Sequence, residues 1–286
     1  MLKVLLWFVS DDKKFFRDAI TVLKAQHGKI EIIDLIIGRT EIIKADCSRA
    51  NVILVVGGKV FGMGQIAKEV RRFNLPAEKF LGDWIVCIPG FTLEKYRELQ
   101  RSRLSILSRN CFGGLISHTL GLSFYSPFVN MFFKEDEYLR FLHSPQAYMK
   151  EQVTLKEMKW NAPLKFDYPV VKLGDIELYM NHYRDFDEAN KIWKRRKDRI
   201  NWENLFVTMY TEREESLQEF DALPYEKKVC FVPFKSDLNS AWYINPELRK
   251  DLPFWAIITR FAQGSPFYYD PFDMLLYGKK TQLIDM

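Results

Sequence analysis

Residues 104–127 read LSILSRNCFGGLISHTLGLSFYSP. Leu104, Ile106 and Leu107 make a short apolar strand, Ser108-Arg109-Asn110-Cys111 a turn, and Gly113-Gly114 open an apolar helical run that contains His118. A strand that feeds a glycine-bearing turn and then a helix is the unit in which α/β proteins place ligand groups, because free helix N–H groups face the turn. This turn adds a thiol, an amide and a guanidinium.

Upstream, the pattern repeats strand and helix. Lys3–Val9 reads as a strand, and Lys14–Lys24 as an amphipathic helix with Phe15, Phe16, Ala19, Ile20 and Leu23 at helical spacing. Lys29–Ile37 is a second strand, and Asn51–Val56 is the continuous apolar run of a strand buried on both faces. A helix over Gln65–Phe73, a strand over Trp84–Ile88 and a charged connector helix over Leu93–Arg101 follow.

Downstream, the spacing predicts a strand at Val129–Phe133 and a helix from Glu135 to Tyr148. Lys150–Pro169 reads as an irregular surface excursion. Val170–Leu173 and Ile176–Met180 flank Gly174-Asp175 as a hairpin. A basic helix over Asp187–Asn201 leads to strand Leu205–Met209. Helix Glu214–Phe220 leads to strand Lys228–Pro233, and beyond Lys235 the order is unread, with Trp242, Trp255, Tyr268 and Tyr269 open to a lid or an oligomer contact. The expected fold is α/β: two Rossmann-like three-layer α/β/α domains with mostly parallel sheets, at 1–102 and 103–286.

The 286 residues are 48% hydrophobic, enough for a substantial core. No stretch approaches the roughly 18 uninterrupted apolar residues of a spanning helix. MLKVLLWFVSDDKK lacks a small-residue cleavage site and reads as a first buried strand. The four cysteines, Cys47, Cys87, Cys111 and Cys230, form no CxxC or Cys/His cluster, which points to a reducing, cytoplasmic setting and away from structural zinc. A net charge of +5 admits phosphates or peripheral contact with lipid headgroups without demanding nucleic acid.

Three candidate sites stand out. Gly57-Gly58-Lys59-Val60-Phe61-Gly62-Met63-Gly64 could cradle a phosphate, but its spacing matches neither nucleotide fingerprint, and the first turn, Ser10-Asp11-Asp12, has no glycine. It reads first as a tight loop, with Asp11-Asp12 capping a helix. In Ser108–Gly114, Arg109 and helix amides could activate Cys111 as a nucleophile, with His118 or His182 as base. His118 lies about two turns on, roughly 10 Å along the axis, so His182 is freer to approach. The same residues also read as a buried thiol beside glycines that permit close packing. In the third, Ala189, Ile192, Trp193, Arg196 and Ile200 share a stripe, with Arg199 beside it. Arg196 there needs a core carboxylate or a bound anion. His182 reads equally as a base or as a satisfied imidazole. Acidic groups at Glu135-Asp136-Glu137 and Asp185/Asp187-Glu188 suit helix starts. No metal site is expected.

SILSRNCFGGLISHTLGL with YSPFVNMFF, MNHYRDFDEANKIWKRRKDRINWENLFV and EFDALPYEKKVCFVPF together resemble a bacterial domain-of-unknown-function family associated with exopolysaccharide biosynthesis. The resemblance covers roughly Arg103 to Pro233. Asn110, Cys111, Gly113, Gly114, His182, Trp193, Arg196 and Arg199 match its motifs, without assigned roles. It implies a surface-polysaccharide context. The expected function is a transferase for an activated sugar or acyl donor. Ser108, Arg109, Asn110, Gly113 and Gly114 would bind substrate, His182 would act as base, and Arg196 and Arg199 would balance charge. Cys111 is the nucleophile in the acyl-transfer version. The alternative is a non-catalytic module for a sugar nucleotide or a partner protein. Sugar nucleotides, phosphosugars and acyl-CoA are the ligands in view, and no cofactor is indicated.

Overall fold

The computed structural model describes residues 1–9, 17, 21, 30–57 and 63–286. The expected first helix at 14–24, apart from Arg17 and Thr21, the Ser10-Asp11-Asp12 turn and Gly58 to Gly62 of the glycine loop lie outside the described residues. The chain divides into two compact units, Met1–Thr92 and Leu93–Met286.

In the first unit, β1 (Leu2–Phe8), β2 (Ile30–Ile37), β3 (Val52–Val56), helix α1 (Met63–Arg72), β4 (Phe80–Gly82) and the short α2 (Asp83–Val86) follow in order. The strands form one parallel sheet ordered β2-β1-β3-β4. Leu5 and Trp7 of β1 and Ile53 and Val55 of β3 pack with Ile66 and Val70 of α1. The Trp7 indole N–H donates to the Gly38 carbonyl at 2.8 Å. The strand expected at Trp84–Ile88 is a correction. The edge strand is Phe80–Gly82, and the chain turns into α2 immediately after it, with the Asp83 carboxylate accepting from the Trp84 N–H at 3.0 Å.

The second unit opens with α3 (Leu93–Arg101). α3 is not a free connector. Tyr96 and Leu99 are buried, and the Tyr96 hydroxyl donates to the Leu120 carbonyl at 3.0 Å. Then come β5 (Ser105–Ser108), α4 (Phe112–Thr119), α5 (Glu135–His143), α6 (Pro145–Tyr148), β6 (Val153–Asn161), β7 (Phe166–Leu173), β8 (Ile176–Tyr179) and α7 (Phe186–Lys197). They lead to β9 (Leu205–Tyr210), α8 (Glu214–Ala222), β10 (Lys228–Val232), β11 (Ala241–Tyr243), α9 (Phe254–Ala262) and α10 (Pro271–Tyr277).

β5, β9, β10 and β11 form a parallel sheet in that order. Alternation sends Leu107, Val207, Cys230 and Val232 into a core with Tyr138 and Leu142 of α5 and Leu217 and Phe220 of α8. On the opposite face, Phe231 meets Phe112 of α4 at 5.4 Å and Phe261 of α9 at 5.3 Å between ring centroids. Helices therefore cover both faces, as a parallel sheet requires.

The fold is thus mixed α/β, with two parallel sheets and a third, antiparallel one, in place of two Rossmann-like domains alone. That third sheet is ordered β6-β7-β8 and corrects the irregular excursion expected at Lys150–Pro169. Pro169 concealed the strand in sequence, yet it sits inside β7 opposite Met158. Its neighbours Val171 and Leu173 join the same core as α5. Val129–Phe133 is not a strand. It contributes one bridge, Phe132 to Tyr179. The helix expected from Glu135 to Tyr148 breaks at Ser144, whose φ −150 and ψ 55 lie outside the helical region that Pro145 disfavours in its predecessor. In the tail, Trp242, Tyr268 and Tyr269 are buried and only Trp255 of the four named aromatics is exposed, so they form core rather than a lid.

Candidate functional site

The turn after β5 consumes most of its own polar groups. The Ser108 hydroxyl donates to the Asn110 carbonyl at 2.8 Å and accepts from the Gly113 N–H at 3.1 Å. The Asn110 side-chain oxygen accepts from the Phe112 N–H at 3.1 Å. Two of the free N–H groups that α4 would offer a ligand are therefore capped from within. The glycines act in packing. A Cβ on Gly113 would lie 2.9 Å from both Ile106 Cγ2 and Ser108 Oγ, and one on Gly114 would lie 3.0 Å from Val129 Cγ1.

Cys111 sits just ahead of α4, with its Sγ 3.8 Å from the Met131 carbonyl, to which it donates. Burial pushes its pKa up against the weaker effect of the backbone groups of Met131 and Asn130. The thiol is protonated and packed, without the activation a nucleophile needs. His118 is exposed on α4, and Met131 is the polar partner of the sulfur.

Arg109 turns away from this pocket of groups and toward the neighbouring strand. Its Nη1 donates to Glu135 Oε2 at 2.7 Å and to the Tyr210 carbonyl at 2.9 Å, and its guanidinium lies 4.4 Å from the Tyr210 ring centroid. The other Glu135 oxygen accepts from the Thr211 hydroxyl at 2.9 Å and from Arg213 Nε at 2.8 Å. Arg213 continues to Asp136 and to the Ser216 hydroxyl, the latter at 2.7 Å. Burial alone would raise the Glu135 pKa, but Ser216, Arg109, Thr211 and Arg213 together hold it below the ordinary glutamate range. Glu135, Thr211 and Arg213 were not singled out in the sequence. Glu135 passes for a helix-start acid, although Arg213 stands just beyond the carboxyl end of β9, where α/β sheets collect functional groups.

Arg196 of α7 makes no ion pair with a carboxylate among the described residues. Its Nη1 donates to the Tyr183 hydroxyl at 2.8 Å and to the Val129 carbonyl at 3.1 Å, and the Tyr183 hydroxyl donates to the same carbonyl at 3.2 Å. The segment Val129–Met131 thus brings Cys111, Tyr183 and Arg196 to one place. His182, next to Tyr183, is exposed and makes no hydrogen bond among the described residues. The desolvation it does suffer lowers its pKa from the ordinary histidine value, which favours the neutral imidazole. Arg199 is exposed, apart from these contacts. Among the described residues no three His, Cys, Asp or Glu side chains cluster to hold a metal ion, and no helix is long and apolar enough to cross a membrane.

These features define a mixed α/β domain whose parallel sheet carries an Arg–Glu–Arg network at its carboxyl edge and a Tyr–Arg clasp beside the β5 turn. The chain belongs to the family described as "Domain of unknown function (DUF1919)", whose model matches residues 86–277 and so takes in the whole second unit up to the end of α10. It is similar to a Haemophilus influenzae protein named "Uncharacterized protein", with 34% identity over 183 residues, which are 62% of this chain and 84% of that one.

Proposed function

We propose that the second unit is a transferase of surface-polysaccharide assembly that acts on an anionic, activated sugar, with His182 as the general base. The observation that carries this reading is the placement of His182: exposed, without a hydrogen bond among the described residues, and with its pKa lowered by partial desolvation. A base must be unprotonated and within reach of a substrate hydroxyl. His182 takes the proton of the acceptor hydroxyl as its oxygen bonds to the transferred group. The donor's phosphate leaves with the bonding electrons. Arg196, which bonds the Tyr183 hydroxyl next to His182, and Arg199, exposed after the far end of α7, meet the charge that develops on it. Cys111 has no part in this version, because its thiol is buried and protonated.

A second reading, a non-catalytic module that binds a sugar nucleotide, draws support from the turn. Ser108 and Asn110 already satisfy one another's helix, which leaves little for catalysis at that point. Thermal-shift measurements with nucleoside-diphosphate sugars, sugar 1-phosphates and acyl-CoA test both, because a ligand that binds the folded state raises Tm. The transferase reading expects a shift with one of the sugar classes that Arg199→Ala diminishes, and turnover that His182→Ala removes while the shift remains. A shift with no turnover leaves the binding module. No shift with either sugar class overturns both.

A further inference from the structure

We propose that β6 is a self-pairing strand through which two copies of this chain join, antiparallel and edge to edge, about a two-fold axis at Met158. β6 is nine residues long and pairs only with β7 among the described residues, so its outer edge has no strand beside it. Seven successive residues, Thr154 to Trp160, are exposed. A long edge of free N–H and C=O groups is a template for another strand.

The side chains fit that use. The register with β7 places Leu155 opposite Val171, Met158 opposite Pro169 and Trp160 opposite Asp167, all on the face whose inner end, Val153 and Leu173, belongs to the core. This apolar stripe runs out of the core into solvent, with Leu155 46%, Met158 42% and Trp160 58% exposed. Glu157 and Lys159 share the other face, opposite Val170 and Tyr168.

The occupant is a second copy because the sequence is self-complementary about Met158. A two-fold axis perpendicular to the sheet preserves its faces. Centred on Met158, it sets Met158 against Met158 of the second copy. It also sets Glu157 against Lys159 of the second copy, and Lys159 against its Glu157. Two opposite-charge pairs then flank one apolar pair, and opposite charges directly across an antiparallel ladder stabilise it. Trp160 extends the apolar stripe on one side of the centre, and on the other Leu155 lies on the same face beyond the extra residue Lys156, where the register with β7 shifts. An unrelated strand has no reason to match this Glu-Met-Lys order.

Sedimentation velocity of the full chain over a concentration series tests the proposal. The wild type is expected to form a dimer that dissociates on dilution. Glu157→Lys and Lys159→Glu each place like charges opposite one another twice and are expected to weaken the dimer about tenfold or more. The exchanged double variant, Glu157→Lys with Lys159→Glu, restores both pairs and is expected to recover the wild-type dissociation constant. Both positions of substitution carry exposed side chains, and circular dichroism of each variant checks that it is folded. A wild type that stays monomeric throughout overturns the proposal. So does a dimer indifferent to the single variants, or a double variant that fails to recover.

Discussion

Arg109 donates to Glu135 across 2.7 Å and ties the first residue after β5 to the first residue of α5, with each side chain only 15% exposed. Thr211, the first residue after β9, closes on the same carboxylate. Two parallel strands and one helix are thereby pinned at the carboxyl edge of the sheet by one acid. Removing one member of such a network leaves its partners desolvated and unpaired.

Glu135→Gln should therefore lower the unfolding free energy by about 2 kcal/mol at neutral pH, read from urea titrations. The sign with pH follows from the depressed pKa of the folded state. The stabilisation is fully present above the ordinary glutamate range and is lost as pH falls through the lower, folded value. The variant's stability should then fall less steeply with acid than the wild type's. Equal slopes would count against this role.

Gly113→Ala should destabilise the second unit by about 1–3 kcal/mol, because the added methyl enters a space already bounded by Ile106 and Ser108. Gly114→Ala should cost somewhat less, since it meets a single Val129 methyl at 3.0 Å. Thermal melts of both variants check the order.

Cys111 should react slowly with iodoacetamide at neutral pH, because burial keeps its thiol protonated. Cys87 is exposed, yet its pKa is pushed up to about 11, so exposure alone should not make it fast. Mass spectrometry of the labelled chain over a pH series would show labelling of Cys87 rising steeply only in alkaline solution. Rapid labelling of Cys111 at pH 7 would revive the thiol mechanism.

Arg196→Met should cost about 1–2 kcal/mol, since it removes two hydrogen bonds and leaves the Val129 carbonyl with Tyr183 alone. His182→Ala should leave stability within about 0.5 kcal/mol, as expected of an exposed side chain without bonds. If turnover is found, its rate should decline as pH falls through the lowered imidazole pKa, where the base becomes protonated.

Local pattern carried a good part of this structure. Continuous apolar runs marked β1 and β3, glycine at 174 marked the β7–β8 hairpin, and the run around Ser108 to Gly114 marked the β5–α4 junction. Each depends on residues a few positions apart, whose burial period and turn chemistry operate within one element. Elements that defied local pattern did so under tertiary influence. β6 alternates poorly because an extra residue, Lys156, shifts its register between Leu155 and Glu157, and Pro169 sits in a strand that its partners hold in place.

The sequence by itself determined the α/β character, the position of the β5 turn and the helical stripe that carries Arg196. Only the tertiary structure decided what the polar groups there do. Asn110 and Ser108 face inward because helix and turn close on each other within a few residues. Arg109 meets the Tyr210 carbonyl 101 residues away, and Arg213 meets Glu135 78 residues away. Such pairs follow from which strands lie side by side. That order is set by the packing of whole faces, and no spacing within a single segment encodes it.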